Sequence, residues 1–157
     1  MTEAFSKTPG YKLIIIGDGP EKEGLQKKYD KENIKFLGAT DRESILMYMK
    51  KARALIFPSV WYEGLPYTIL EAFATGTPVI ASFLGSMKEM ITHGYNGYHF
   101  IPGNHEDLIE KLHLFSRKDT STLYQNARAT YIQNYTPETH YNRLLKLYSY
   151  ERSNNQA

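Results

Sequence analysis

Short apolar runs alternate with helical patterns along most of this chain, and this alternation is the strongest constraint on its fold. Each run has four or five residues, is rich in β-branched or aromatic side chains, and usually ends at glycine or proline. The predicted strands are Lys12–Ile16, Ile34–Leu37, Ala54–Phe57, Pro78–Ala81 and Tyr98–Ile101. Strands that alternate with helices form a parallel sheet, so we expect an α/β fold with its ligand site at the carboxyl edge of the sheet.

The segments between and after these strands predict helices. Asp41 is a candidate N-cap, and Gly76 a candidate C′ residue that ends a helix. Beyond the last strand the pattern is entirely helical, which makes residues 117–157 a helical C-terminal extension. The predicted helices are Glu21–Asn33, Asp41–Lys51, Tyr67–Thr75, Ser86–Ile91, Glu106–Ser116, Ser121–Asn134 and Pro137–Tyr150. A length of 157 residues fits a single domain.

Composition excludes several classes of function. The chain has no cysteine, which rules out disulfides, thiol catalysis and cysteine-type zinc sites. Its five histidines show no metal-ligand spacing, so we expect no metal. A net charge of +2 is too small to indicate a nucleic-acid partner. The longest apolar run, Leu13–Ile16, is too short to span a bilayer, and the N-terminus lacks a signal-peptide pattern. We therefore expect a cytoplasmic protein.

A glycine-containing turn follows the first predicted strand. In Gly17-Asp18-Gly19-Pro20, the glycines allow a tight turn and a close approach of the backbone to a ligand. The segment lacks the third glycine of the dinucleotide fingerprint, so nucleotide binding and a plain strand–helix turn are about equally compatible with it. Asp18 alone does not indicate a phospho-accepting receiver domain, because the expected acidic pair near the first strand is missing.

The segment from Glu63 to Glu71 combines two carboxylates with a glycine- and proline-containing loop. Pro66 lies just before a predicted helix, whose first amides would point at the sheet edge and suit phosphate groups. A carboxylate suits the hydroxyl donors of a sugar or ribose. On spacing alone, the simpler interpretation is that Glu63 caps the helix and Glu71 forms a surface salt bridge.

Several motifs occur in the order expected for a known family. They are Leu13–Pro20, Ile34–Gly38, Pro58–Pro66, Leu70–Ser82, Gly85 with Glu89, Asn96-Gly97 and Pro102-Gly103. Over about residues 11–112 the chain resembles the retaining glycosyltransferases of group 1 (family 4). That family has the GT-B architecture, in which two Rossmann-like domains enclose the active site. The resemblance implies that this chain is a Rossmann-like parallel sheet with helices on both faces, namely the C-terminal, donor-binding domain.

The resemblance also implies roles for individual residues. Glu71 would hold the ribose of a nucleotide-sugar donor, and Glu63, as the catalytic residue, would lie beside the hydroxyls of the donor sugar. The loop between them would contact the sugar and diphosphate, and the loop after the second strand would receive the base. The donor-binding residues implied are Gly17, Gly19, Ala39, Thr40, Gly64, Leu65, Pro66, Thr68 and Glu71. No cofactor is implied beyond the donor substrate.

The chain departs from the family pattern in two respects. We expect residues 1–157 to lack the first strand of the donor domain, with its diphosphate-binding arginine and lysine, and to lack the N-terminal acceptor domain. The chain alone is therefore expected to be inactive, because the missing cations would stabilise the leaving diphosphate. By resemblance, the full enzyme would act in cell-surface polysaccharide or lipopolysaccharide assembly, with peripheral membrane association as an option.

Two other functions remain open from the sequence. One is a sugar-nucleotide epimerase of GT-B type, which shares the fold but should lack this Glu63–Glu71 loop. The other is a non-catalytic docking module, because six of the thirteen tyrosines lie in the helical C-terminal extension. Tyrosine suits interfaces, and it equally suits the half-buried boundary of a core.

Overall fold

The structure is a computed structural model that describes residues 1–117 and 119–154, with side chains described up to residue 149. The strands are β1 (Leu13–Ile16), β2 (Ile34–Gly38), β3 (Leu55–Phe57), β4 (Val79–Ser82) and β5 (Gly97–Phe100). The helices are α1 (Thr2–Ser6), α2 (Lys22–Tyr29), α3 (Arg42–Lys51), α4 (Tyr67–Ala74), α5 (Met87–Met90), α6 (His105–Arg117), α7 (Ser121–Asn134) and α8 (Pro137–Asn154). Each predicted strand and helix is present, with shifted ends.

Helix α2 was predicted to reach Asn33, but it ends at Tyr29. Asp30 takes an extended conformation at the C-cap. The side-chain amide of Asn33 donates to the carbonyls of Phe5 and Tyr11, at 2.9 and 3.0 Å. These bonds hold the chain ahead of β2 against the N-terminal segment, so it cannot continue the helix.

All ladders are parallel, but the strands do not form one continuous sheet. Within the described residues, β1 and β2 form a two-stranded sheet. A separate three-stranded sheet has the order β3-β4-β5. Consecutive apolar residues in β1 predicted a strand covered on both faces. Ile14 is nevertheless 47% exposed, and it belongs to neither core cluster of the structure. A run of apolar residues in a strand does not indicate whether other elements of the fold cover one face of that strand or both.

Two apolar clusters lie on opposite faces of the triple-stranded sheet. The first core cluster is Ala4, Phe5, Leu13, Ile34, Ile80, Tyr98, Phe100, Leu108, Leu112, Phe115 and Leu123. The second core cluster is Ile69, Ala72, Phe73, Val79, Ala81, Met87, Met90, Ile91 and Ala127. β4 contributes Ile80 to the first cluster and Val79 and Ala81 to the second, as alternation along a strand requires. The expected Rossmann-like α/β fold with helices on both faces is therefore confirmed.

The C-terminal helices differ in how they join this core. α7 packs against α4, and its Ala127 is fully buried in the second core cluster. The guanidinium of Arg128 donates to the carbonyl of Ala74, near the end of α4. Gly76 then adopts φ +76°, which confirms its predicted role as a C′ residue. The described side chains of α8 after His140 are exposed, so α8 is the part that extends away from the core.

Candidate functional site

The loops that follow β1 and β2 meet at the carboxyl edge of this strand pair. The Gly17 amide donates to the Gly38 carbonyl at 2.8 Å, and both glycines have positive φ, at 132° and 74°. The Gly19 amide donates to the Asp18 carboxylate at 2.9 Å, and the Lys22 ammonium lies 3.2 Å from the same side chain. The Gly19 amide hydrogen bond, followed by the Lys22 contact, lowers the pKa of Asp18. Gly17 and Gly19 are thus exposed at the sheet edge in a loop that is already ordered.

Ala39 and Thr40 are exposed between β2 and α3, and the start of α3 is well capped. The Asp41 carboxylate accepts from the Ser44 amide at 2.8 Å and from the Ser44 hydroxyl at 2.7 Å. These bonds lower the pKa of Asp41, the amide contributing most. The predicted N-cap is confirmed, and it fixes the end of the loop in which Ala39 and Thr40 lie.

Glu63 is half-buried in the loop between β3 and α4, where two serines hold it. The Ser59 hydroxyl donates to Glu63 Oε1 at 2.9 Å, and the Ser86 hydroxyl donates to the Glu63 carbonyl at 2.8 Å. The interpretation that Glu63 caps α4 is wrong. The N-cap is Pro66, and no side chain caps this helix. The Glu63 carboxylate is oriented from the β3 side, with one oxygen engaged by a serine.

The start of α4 presents free backbone donors beside this loop. Gly64 and Leu65 are exposed, Pro66 is buried, and Thr68 is half-buried in the first helical turn. Amides in a first turn have no acceptor inside the helix and carry the positive end of its dipole. The stretch from Gly64 to Thr68 can therefore bind an anionic or polar group without rearranging the helix.

Glu71 lies one turn further along α4 and forms an ion pair with Arg42, the first residue of α3. Arg42 Nε and Nη2 lie 3.1 and 3.0 Å from the same oxygen, Glu71 Oε1. The Glu71 side chain is 26% exposed and the Arg42 side chain 78%. The salt bridge expected on spacing alone is thus present, and it links the segment after β2 to α4.

These contacts make three local groups of the predicted site residues. Gly17 is bonded to the last residue of β2, Glu71 is paired with α3, and Glu63 is bonded to Ser59 and Ser86. In the described part of the chain no hydrogen bond joins Glu63 to Glu71, so each carboxylate is held independently. Glu63 is held beside β3 and Glu71 beside α3, with the free amides of α4 between them in sequence.

Three residues of this arrangement were not singled out from the sequence. Ser59 and Ser86 orient Glu63, and Arg42 holds Glu71. Ser59 lies inside a quoted motif, four residues before Glu63, and that spacing was a usable signal. Ser86 and Arg42 reach their partners across 23 and 29 residues, which no local pattern indicates.

The described residues form neither a metal-binding cluster nor a membrane-spanning helix. Among residues 1–117 and 119–154, no three His, Cys, Asp or Glu side chains are grouped so that they could hold a metal ion. None of the described helices is long and apolar enough to cross a bilayer.

Known proteins provide the remaining comparison. Sulfoquinovosyl transferase SQD2 of Arabidopsis thaliana is 30% identical over 115 residues, which is 71% of this chain and 22% of that protein. The structure of Anabaena Alr3699/HepE in complex with UDP superposes with a TM-score of 0.81 at 25% identity, covering 94% of this chain and 43% of that one. The C-terminal domain of the glycosyl transferase group 1 protein LpcC from Francisella tularensis superposes with a TM-score of 0.74 at 24% identity. The match covers 87% of this chain and 75% of that domain.

The chain spans between 22% and 39% of the length of the first three curated relatives that it matches. Its fold is that of one Rossmann-like half of GT-B glycosyltransferases. The family model for glycosyl transferases group 1 matches residues 1–135, which is most of the chain. This protein therefore belongs to the glycosyl transferases group 1 family.

Proposed function

We propose that this chain is the donor-binding domain of a retaining, metal-independent glycosyltransferase that uses a nucleotide-diphosphate sugar. The observation that carries the proposal is the ordered segment from Glu63 to Glu71 at the carboxyl edge of the sheet. Its two carboxylates are held separately, and the unpaired amides of the α4 first turn lie between them. HepE, which has this fold, has been solved with UDP and with UDP-glucose.

Each part of the segment matches one part of such a donor. Glu71 accepts hydrogen bonds from the ribose hydroxyls, and Glu63 accepts from the hydroxyls of the sugar. The backbone N–H groups of Gly64, Leu65, Tyr67 and Thr68 bind the diphosphate, whereas Pro66 has no N–H and offers only its carbonyl. The base lies against Ala39 and Thr40. Gly17 and Gly19 leave room for the donor beside β1, because neither has a side chain.

The same groups assist sugar transfer. When the bond between the anomeric carbon and the diphosphate oxygen breaks, negative charge grows on the leaving diphosphate. Backbone amides at the start of α4 are fixed before the reaction and stabilise that charge. The oxygen of the acceptor hydroxyl then bonds to the anomeric carbon in place of the diphosphate, and the hydroxyl proton passes to the departing diphosphate oxygen. Binding of the acceptor requires a second domain, so we expect this chain by itself to show no sugar transfer.

The whole enzyme is proposed to act in the assembly of cell-surface polysaccharide or lipopolysaccharide. The Trp61–Pro66 segment supports this through the resemblance described for the sequence. A transferase is favoured over a sugar-nucleotide epimerase, because the family model that matches is that of glycosyl transferases.

One observation favours a docking role in addition to donor binding. Along α8, Tyr141, Leu145 and Tyr148 are 61%, 48% and 68% exposed, and their spacing places them along one side of the helix. Sedimentation equilibrium of the chain and of a Tyr141→Ser/Tyr148→Ser variant tests this role. Self-association lost in the variant, together with an absence of nucleotide binding, would favour a docking module over the donor domain.

The donor-binding proposal is tested by titrating UDP into the chain and its Glu71→Ala variant, using isothermal calorimetry. Loss of hydrogen bonds to a charged group costs about 1.5 kcal/mol or more, so we expect at least about a tenfold weaker affinity. Glu32→Ala is the matched control, because Glu32 is exposed and precedes the opposite, amino end of β2. Equal UDP affinity in the Glu71→Ala variant and the unaltered chain would contradict the assignment.

A further inference from the structure

Arg42 connects the two segments that the proposed function assigns to the nucleoside. It is the first residue of α3, immediately after the loop that contains Ala39 and Thr40. Its guanidinium reaches α4, where Glu71 is proposed to hold the ribose. No other side-chain hydrogen bond or ion pair within the described residues joins the region after β2 to this carboxylate.

The geometry of the pair leaves half of the carboxylate available. Both Arg42 Nε and Arg42 Nη2 contact Glu71 Oε1, at 3.1 and 3.0 Å. Glu71 Oε2 makes no hydrogen bond within the described part of the chain. When two guanidinium nitrogens contact one carboxylate oxygen, they restrict rotation of the carboxylate, because the donors of the guanidinium form a rigid planar fork. The second oxygen is then presented in a fixed direction.

The pair also changes the charge that a nucleotide meets. An uncompensated carboxylate one turn from the α4 amides would repel a diphosphate bound there, because like charges at short range disfavour each other. Arg42 supplies the opposite charge at Glu71 itself. The amides of α4 can then attract the diphosphate while Glu71 still accepts hydrogen bonds from hydroxyl groups.

We propose that Arg42 is a positioning residue for donor binding. It fixes Glu71 with Oε2 directed to the ribose hydroxyls, and it neutralises the carboxylate beside the diphosphate. This inference rests on the proposed function, because it takes Glu71 as the group that holds the ribose. It differs from a direct role of Arg42 as a phosphate ligand, in which Glu71 would have no part.

A double-mutant cycle separates these roles. UDP affinity is measured by calorimetry for the unaltered chain, Arg42→Ala, Glu71→Gln and the double variant. We expect Arg42→Ala to weaken UDP binding about fivefold, which corresponds to the upper end for an exposed ion pair. In the Glu71→Gln background, Arg42→Ala should have no further effect, because Arg42 acts through the carboxylate. Arg42→Lys should bind UDP more weakly than the unaltered chain, since lysine lacks the fork.

Lys50→Ala is the matched control. Lys50 is exposed on the same helix, two turns further along, and its removal changes the net charge by the same amount. Its UDP affinity should equal that of the unaltered chain. Amide spectra of every variant should retain the dispersion of the unaltered chain, which excludes unfolding as the cause of weaker binding.

The outcomes distinguish this inference from the function on which it rests. Saturable UDP binding that is unchanged by Arg42→Ala would overturn the role of Arg42 and leave the donor site standing. Equal losses from Arg42→Ala in both backgrounds would assign Arg42 to the phosphate and also overturn positioning through Glu71. If the unaltered chain binds none of UDP, GDP and ADP, the donor function itself is contradicted, and the role of Arg42 falls with it.

Discussion

Replacing Asn96 with alanine tests whether a buried amide anchors the part of the fold that supports Glu63. Asn96 is 1% exposed, and its side chain makes three hydrogen bonds. Its Oδ1 accepts from the Thr92 amide at 2.8 Å, and its Nδ2 donates to the Met90 carbonyl at 3.2 Å and to the Thr130 hydroxyl at 3.1 Å. The side chain therefore ties the end of α5 to α7.

The expected loss of stability follows from the three hydrogen bonds that the Asn96 side chain makes. Each of the three bonds contributes about 1 kcal/mol net, and alanine leaves the Met90 carbonyl and the Thr130 hydroxyl without this partner in a buried space. We expect Asn96→Ala to lower the free energy of unfolding by about 3 kcal/mol, taking these contributions as additive. Asn96→Asp keeps the shape but turns an oxygen toward the Met90 carbonyl. That variant should lose still more at neutral pH and recover in part when the carboxylate is protonated.

Urea denaturation followed by far-UV circular dichroism measures these changes. Fluorescence is a poor alternative, because the single tryptophan, Trp61, is 77% exposed. Asn126→Ala is the control, since its amide donates to the Tyr95 carbonyl at an exposed position, where water can replace it. The control should lose less than about 1 kcal/mol. A loss for Asn96→Ala no larger than that of the control would refute the anchoring role.

Three further predictions concern single side chains. Ser59→Ala removes the hydrogen bond that orients the Glu63 carboxylate. Calorimetry should therefore show that UDP-glucose binds about fivefold more weakly, while the affinity for UDP is unchanged. Equal losses of affinity for both ligands would contradict this prediction. The Ser82 hydroxyl is buried without a hydrogen-bond partner among the described residues. Ser82→Ala should therefore raise the free energy of unfolding, measured by urea denaturation, by about 1 kcal/mol. A decrease would refute this prediction. Partial burial lowers the pKa of His99. Because the unfolded chain then binds a proton more readily, the free energy of unfolding should fall as the pH drops below about 6.5, and it should fall less in the His99→Gln variant. Identical pH profiles of the two proteins would exclude His99 as the cause.

Much of the fold could be predicted because its signals are local. Short apolar runs and helix-capping residues lie within a few positions of one another, so each predicted strand and helix is present, and Asp41 and Gly76 have the capping roles expected. The short helix α1 was not among the predicted helices. The division of the strands into a pair and a triple was not predicted. Strand neighbours are chosen by packing between distant segments, and the sequence pattern of β1 does not indicate that Ile14 is exposed.

Turn signals were less informative about burial. Asn96 and Gly97 were recognised from the sequence as a turn and as part of a motif. The structure shows that Asn96 is a buried connector, and that Gly97 begins β5 against the Val79 carbonyl, where a Cβ atom would clash. A local pattern reveals that the backbone turns there, but not that the side chain faces α7.

The same distinction applies to the candidate site. Its carboxylates stand out in the sequence because a charged residue beside glycine and proline is visible in one loop. The groups that orient them are neutral or distant: Ser86 lies 23 residues from Glu63, and Arg42 lies 29 residues from Glu71. Only the fold brings these partners together. The roles of the site residues in donor binding remain predictions.

An NMR titration of the ¹⁵N-labelled chain with UDP, and then with UDP-glucose, tests the central claim most directly. We predict saturable amide shifts with UDP at Thr40, Gly64, Leu65, Tyr67, Thr68 and Glu71. We predict an additional shift at Glu63 with UDP-glucose. An absence of saturable shifts at these residues would contradict the claim. Shifts confined to the cavity lined by Phe83, His99 and Lys111 would contradict it as well.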